Sequence, residues 1–177
     1  SYPWKHWKNI DAKPDYANIQ IEAVDIWHFI MSQGLEDYKM KKLGCIDTLS
    51  RNISKLPNFH NFLADITPTT KDYYAQIEVV EHLMKTIFCE ESTEKLMEAF
   101  IDVAVQSGLN LDALYKLYVG KNILNQFRQD HGYKEGTYIK IWNGEEDNVT
   151  MQRVLEENED VTPDELYNAL EEAYPQE

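Results

Sequence analysis

Asn18-Ile19-Gln20-Ile21-Glu22-Ala23-Val24-Asp25-Ile26-Trp27-His28-Phe29-Ile30 sets two acids into a run of residues that otherwise favour a dry environment. Read as a helix, its apolar positions 19, 21, 23, 24, 26, 27, 29 and 30 cover most of the circumference, which predicts an element buried by its neighbours. Glu22 and Asp25, spaced i and i+3, then share one face with Cβ atoms roughly 6 Å apart, where two negative charges repel by about 3 kcal/mol at an effective dielectric near 20. Either one carboxyl keeps its proton or a cation sits between them. Oxygen-only ligation of this kind suits Mg²⁺ or Mn²⁺ better than zinc. His28 follows Asp25 by three residues, but a ferritin-type site needs a second E-x-x-H. The nearest stretch, Glu78-Val79-Val80-Glu81-His82, has the wrong spacing, and those residues read as solvent-facing.

Outward from this stretch, Tyr2-Pro3-Trp4-Lys5-His6-Trp7-Lys8 interleaves aromatics with cations, and Pro14-Asp15 supplies a stop and a start for the carboxylate helix. Gly34 is expected to weaken or end that helix. Residues 35–57 predict one or two polar helices, and Pro57 and Pro68 bracket a short segment. Thr69-Thr70-Lys71-Asp72 opens a helix to about Glu90, with Tyr73, Ile77, Val80, Leu83, Met84 and Ile87 expected inward. A second helix runs from Ser92 to about Gln106, with Leu96, Ala99, Phe100, Val103 and Ala104 inward. Asn110 caps a third, which reaches Arg128. Asp147 or Asn148 caps a helix from Val149 to about Asn158, and Thr162-Pro163-Asp164-Glu165 is a strong start for the last one. Only Thr137 to Trp142 alternates like a strand. The expected architecture is all-α: antiparallel helices in one domain over residues 1–177, with residues 35–108 as a cap over a ligand or a subunit contact.

Thirty-one acidic against 17 basic residues give a formal charge of −14, which disfavours duplex nucleic acid and anionic membrane as partners. Two cationic islands interrupt this, residues 1–13 and 121–140, and such islands suit an anionic ligand held at specific points. In the second island Lys121, Asn125 and Arg128 share a helical face at i, i+4 and i+7. A glycine-punctuated loop follows with Lys134, Tyr138 and Lys140, and the set reads as a polyphosphate clamp. Cys45 and Cys89 form no C-x-x-C pair and fit free thiols in a reducing cytoplasm. No apolar run of membrane-spanning length and no leader peptide is evident. The chain begins at Ser1 without a methionine, as a fragment would.

Taken together, Pro3-Trp4-Lys5-His6-Trp7-Lys8, Glu22 to Phe29, Gly120-Lys121-Asn122 through Phe127-Arg128, Gly132-Tyr133-Lys134 and Trp142-Asn143-Gly144 through Glu146-Asp147-Asn148 resemble the dimeric dUTPases, which belong to the all-α nucleoside triphosphate pyrophosphatases. The resemblance is dense over residues 1–31 and 114–148 and faint between. It implies a homodimeric, Mg²⁺-dependent hydrolase, with Mn²⁺ as a substitute, that converts dUTP, and usually dUDP, to dUMP. In that family the metal is held by E-x-x-E and then E-x-x-D motifs on neighbouring helices, and Glu22 and Asp25 match the second. The first, with the expected general base and a glutamine-bearing helix that helps recognise uracil, would precede Ser1. Either the chain is a piece of a longer protein or it is incomplete as a catalyst.

On this reading Glu22 and Asp25 hold the metal, while Lys121, Arg128, Lys134 and Lys140 neutralise phosphate oxygens. Tyr138 adds a hydroxyl donor, Asn125 and Asn148 contact the deoxynucleoside, and Trp7 or His6 covers the base, beside Lys8. Two other readings compete: a related pyrophosphatase acting on another nucleotide such as dCTP, and a non-catalytic helical binding or dimerisation protein with an acidic surface.

Overall fold

The computed structural model describes residues 15–65, 73–89, 92–158 and 160–175. Among these the chain is mostly helical, and the described backbone forms two compact units divided between Leu114 and Tyr115.

In the first unit the hub is a helix that the sequence reading did not place at the centre. Helix α1 spans Tyr16–Met40, α2 Ile46–Ile53, α3 Phe59–Leu63, α4 Tyr73–Phe88 and α5 Thr93–Gln106, and the first four all pack on α5. The cause lies in the α5 sequence, which buries Met97, Ala99, Phe100, Ile101, Val103 and Ala104 and so has apolar surface around most of its circumference. Its start is set by Ser92, whose hydroxyl accepts from the Lys95 backbone N–H at 3.3 Å.

Helix α1, expected to be enclosed, is instead one-sided. It buries Ile21, Ala23, Val24, Ile30, Gly34 and Tyr38, while Phe29 keeps 74 % of its surface exposed. Asp15 caps it by accepting from the Asn18 N–H at 3.0 Å, as the Pro14-Asp15 pair predicts. Gly34 does not end it. A Cβ at that position would lie 2.9 Å from Met97 Cε and 3.0 Å from Thr93 Cγ2, so the glycine admits α5 at close range while the helix continues to Met40. Beyond the crossing, Thr93 donates to Asp37 at 2.9 Å, Tyr38 donates to Glu94 at 2.7 Å, and Asn52 of α2 donates to the Tyr38 hydroxyl at 2.7 Å. These bonds tie α1, α2 and α5 together.

Helix α4 departs from expectation in the same sense. Its apolar stripe, Tyr73, Ile77, Val80, Met84 and Ile87, is exposed, and of the residues expected inward only Leu83 is buried. Against α5 it turns a rotated, mixed face that includes Leu83, Thr86 and Gln76, whose amide donates to the Gln106 carbonyl at 3.2 Å. Periodicity identified the stripe but not what would cover it. The residues expected to open α4, Thr69 to Asp72, lie outside the described residues.

Helix α6, Leu111–Asp130, starts from Asn110, whose side chain accepts from the Ala113 N–H at 2.9 Å. From Tyr115 onward it belongs to the second unit, with strands β1 (Ile141–Trp142) and β2 (Glu145–Glu146) and helices α7 (Asp147–Glu157) and α8 (Pro163–Ala173). Leu124, Phe127, Trp142, Met151, Leu155, Leu166 and Leu170 form the core. Phe127 is its pivot: the His131 ring stacks on it at 3.9 Å, and Trp142, Tyr167 and Tyr174 meet it edge-on at 5.3–5.6 Å. The strand expected over residues 137–142 pairs only at Ile141 and Trp142, opposite Glu146 and Glu145. Asn143 and Gly144 form the turn between them, both at positive φ, 52° and 91°, which suits a two-residue hairpin. The turn leads directly into α7, which starts two residues before the predicted Val149 and has Glu146 as its N-cap. Thr162 and Glu165 close the predicted capping box of α8.

Candidate functional site

In the first unit the two predicted metal ligands sit one turn apart on the open face of α1. Glu22 is exposed and Asp25 half-buried. Because α5 covers only one side of the helix, both carboxylates keep access to water, and the expectation that burial itself demands a cation does not hold. Among the described residues no group of three or more His, Cys, Asp or Glu side chains is placed to hold a metal. A pair of carboxylates is nevertheless the right kind of donor for Mg²⁺, which commonly takes one or two carboxylates and keeps its remaining sites for water and substrate phosphates. His28 is exposed, as are Glu78, Glu81 and His82 on α4. A separate groove of about 630 Å³ lies between the start of α1 (Tyr16, Ile19), α4 (Tyr73, Ile77) and the end of α5 (Val103). Among the described residues its lining is mainly apolar and includes no lysine or arginine.

The second unit holds the donors. Helical spacing puts Lys121, Asn125 and Arg128 on one face of α6, and the hairpin delivers Asn148 to the first turn of α7. Between them stands Asp147, with none of its surface exposed. Arg128 grips it with two parallel bonds, Nε to Oδ2 and Nη2 to Oδ1, each 2.8 Å. The Tyr138 hydroxyl donates to Oδ2 at 2.8 Å, and the Asn148 backbone N–H donates to Oδ1 at 2.8 Å. Burial would push the Asp147 carboxyl up, but the bonds from Arg128 and Tyr138 and the guanidinium charge outweigh it and hold the carboxyl below its ordinary value. Burial and the same carboxylate drive the Tyr138 hydroxyl far up.

From Arg128 the network spreads outward. Nη1 donates to Asn125 Oδ1 at 3.0 Å and Nη2 to Asn148 Oδ1 at 3.3 Å, and Lys121, only 8 % exposed, donates to the same Asn148 oxygen at 3.3 Å. Lys121, Asn125, Arg128, Tyr138 and Asn148 thus form one hydrogen-bonded cluster around Asp147. Lys140 stands apart in an exposed pair with Glu146 at 3.2 Å, and Lys134 is exposed. Trp7, Lys8 and His6 lie outside the described residues. Tyr138 was expected to donate to a phosphate, whereas its single hydroxyl proton is engaged by Asp147. Asp147 itself was read as a helix cap and as part of the block from Trp142 to Asn148, with no site role. The signal available for it was an arginine next to core residue Phe127, which calls for a buried counter-charge.

These features define an all-α protein with a carboxylate pair one turn apart on one helix and a braced cluster of hydrogen-bond donors built on another. A family model described as dUTPase matches residues 1–133, and the chain belongs to the dimeric, all-α dUTPase family. Lys134, Tyr138, Lys140, Asp147 and Asn148 lie beyond the matched stretch. No curated protein matches the chain.

Proposed function

We propose that the protein is a Mg²⁺-dependent dUTP pyrophosphatase that hydrolyses dUTP to dUMP and pyrophosphate, and dUDP to dUMP and phosphate, as a cytoplasmic homodimer. The family match over residues 1–133 is the observation that carries this reading. Phosphoanhydride hydrolysis asks little covalent chemistry of a protein. It needs positive charge against the phosphate oxygens, an oriented water and a fixed substrate. Glu22 and Asp25 are the residues that would hold Mg²⁺, which when bound offsets phosphate charge and orders water.

The donors of the second unit match the remaining demand. Lys121 supplies positive charge at the phosphates and Arg128, whose charge is balanced by Asp147, supplies an aligned N–H, both braced so that little reorganisation is needed on binding. Lys140 can exchange its exposed partner Glu146 for a phosphate oxygen at small cost, since such surface pairs contribute about 0–1 kcal/mol. Lys134 adds an exposed charge on the same loop. Trp7 or His6 remains assigned to the base, and Lys8 to the substrate, on the strength of the sequence motif.

Measuring pyrophosphate release from dUTP, dCTP and dTTP in the presence of Mg²⁺ tests the proposal. Turnover of dUTP well above the other two is expected, with loss of activity in Asp25→Asn. Comparable rates on all three would remove the case for a uracil-specific enzyme. Turnover of dUTP unchanged in Asp25→Asn would overturn the metal assignment.

A further inference from the structure

We propose that Tyr174, the residue on which α8 ends, is a positioning residue for substrate binding, because it fixes the backbone of residues 138–140 and so sets where Lys140 stands. The inference rests on the proposed dUTP reading and brings into it an element, α8, that carries none of the residues assigned to substrate.

Local sequence puts the tyrosine there. Pro175 disfavours helical dihedrals at the residue before it, and Tyr174 accordingly leaves α8 with φ −65° and ψ 134°. Its ring lies among four others: 5.4 Å from Phe127 of α6, 4.8 Å from His131 just beyond that helix, 5.5 Å from Trp142 of β1, and 5.6 Å from Tyr138, on which it stacks at 22°. The phenol oxygen accepts from the Ile139 backbone N–H at 3.1 Å.

That bond matters because of where it falls. The sequence alternates from Thr137, yet strand pairing begins only at Ile141, so the backbone groups just before it need other partners. Side chains supply them to Ile139: Tyr174 takes its N–H, and the Trp142 indole donates to its carbonyl at 2.6 Å. The Lys140 carbonyl in turn accepts from the Asp147 N–H at 3.0 Å. Lys140 thus extends from a backbone tied on both sides, although its ammonium stands at the surface beside Glu146. A segment with these ties is already in place when a substrate arrives, whereas a segment without them adds its ordering to the cost of binding.

Ile139 is 41 % exposed, so water can replace the phenol oxygen, and a phenylalanine at position 174 keeps the ring contacts. Tyr174→Phe therefore separates position from folding. Hydrogen exchange of the Ile139 amide, followed by NMR, and dUTP kinetics with Mg²⁺ test the proposal together. In Tyr174→Phe the Ile139 amide should exchange faster by about tenfold or more. KM for dUTP should rise by about threefold to tenfold at nearly constant kcat, the loss expected of one hydrogen bond that acts on binding. In a Lys140→Ala background the same substitution should leave KM unchanged, because the side chain it positions is gone. An equal rise in KM in both backgrounds would overturn the proposal. So would a fall in kcat at constant KM, the mark of a smaller folded fraction. Normal dUTP turnover with a KM that Tyr174→Phe does not move would remove this inference and leave the activity standing. In a protein that does not hydrolyse dUTP, calorimetry with inorganic pyrophosphate takes the place of KM. Binding weakened by Tyr174→Phe only while Lys140 is present would then keep the inference although the proposed activity fails, and binding that the substitution does not weaken would end both.

Discussion

The Asp147 carboxylate accepts from two Arg128 nitrogens, the Tyr138 hydroxyl and a backbone N–H while wholly removed from solvent. Its acidity is depressed in the folded state, so it contributes stability that is fully present above the ordinary carboxylate value near 4 and is lost as pH falls through the lower folded value. Urea midpoints should therefore hold steady from neutral pH to about 4 and drop below it. Tyr138→Phe removes one donor to the charged group and should cost about 1.5–3 kcal/mol at pH 7. The same variant should move the acid transition to higher pH, because the carboxylate then loses part of what holds its acidity down. Urea denaturation across this pH range measures both effects. Lys121, Asn125 and Arg128 were legible in the sequence because i, i+4 and i+7 fix a shared face whatever the tertiary structure. Asp147 was not, because its partner comes from another element, and sequence separation says nothing about which acid will meet an arginine across a hairpin.

Elements show a similar division between what local pattern determines and what packing decides. The starts of α5, α6 and α8 follow from local signals, since Ser92, Asn110 and the Thr162–Glu165 box each act within one turn, whereas α7 begins after Glu146 and not at the predicted Asp147 or Asn148 cap. Which face is covered does not follow from such signals. The run from Asn18 to Ile30 is apolar enough to be enclosed, yet α5 takes the central place and leaves one side of α1 open. Gly34 illustrates the limit, since helix propensity treats it as a weak point, whereas the α1–α5 crossing needs the space. Gly120 repeats the arrangement in the second unit: a Cβ there would stand 2.7 Å from both Leu155 Cδ1 and Met151 Sδ. Overpacking typically costs about 1–3 kcal/mol, and the better helix propensity of alanine returns about 1. Gly120→Ala should therefore be destabilising by up to about 2 kcal/mol, read from the shift in denaturation midpoint at unchanged m-value. A more stable Gly120→Ala protein would mean that α6 and α7 are less closely packed than described.

At the scale of the whole molecule, the acidic balance of −14 makes the donor cluster of α6 and α7 a local exception, and a local exception is what a phosphate ligand requires. No helix among the described residues is long and apolar enough to cross a membrane. The fold class was legible in the 3.6-residue periodicity, and the family in ordered motifs at the two ends of the matched stretch and beyond it. The middle of the chain, including the exposed stripe of α4, carries no chemical pattern that either approach reads. The most direct test of the account is Mg²⁺-dependent release of pyrophosphate from dUTP, compared between the protein and its Asp25→Asn variant. The account predicts turnover that ceases when Mg²⁺ is chelated and is lost in the variant. Equal turnover by both proteins, or turnover indifferent to the metal, would contradict it.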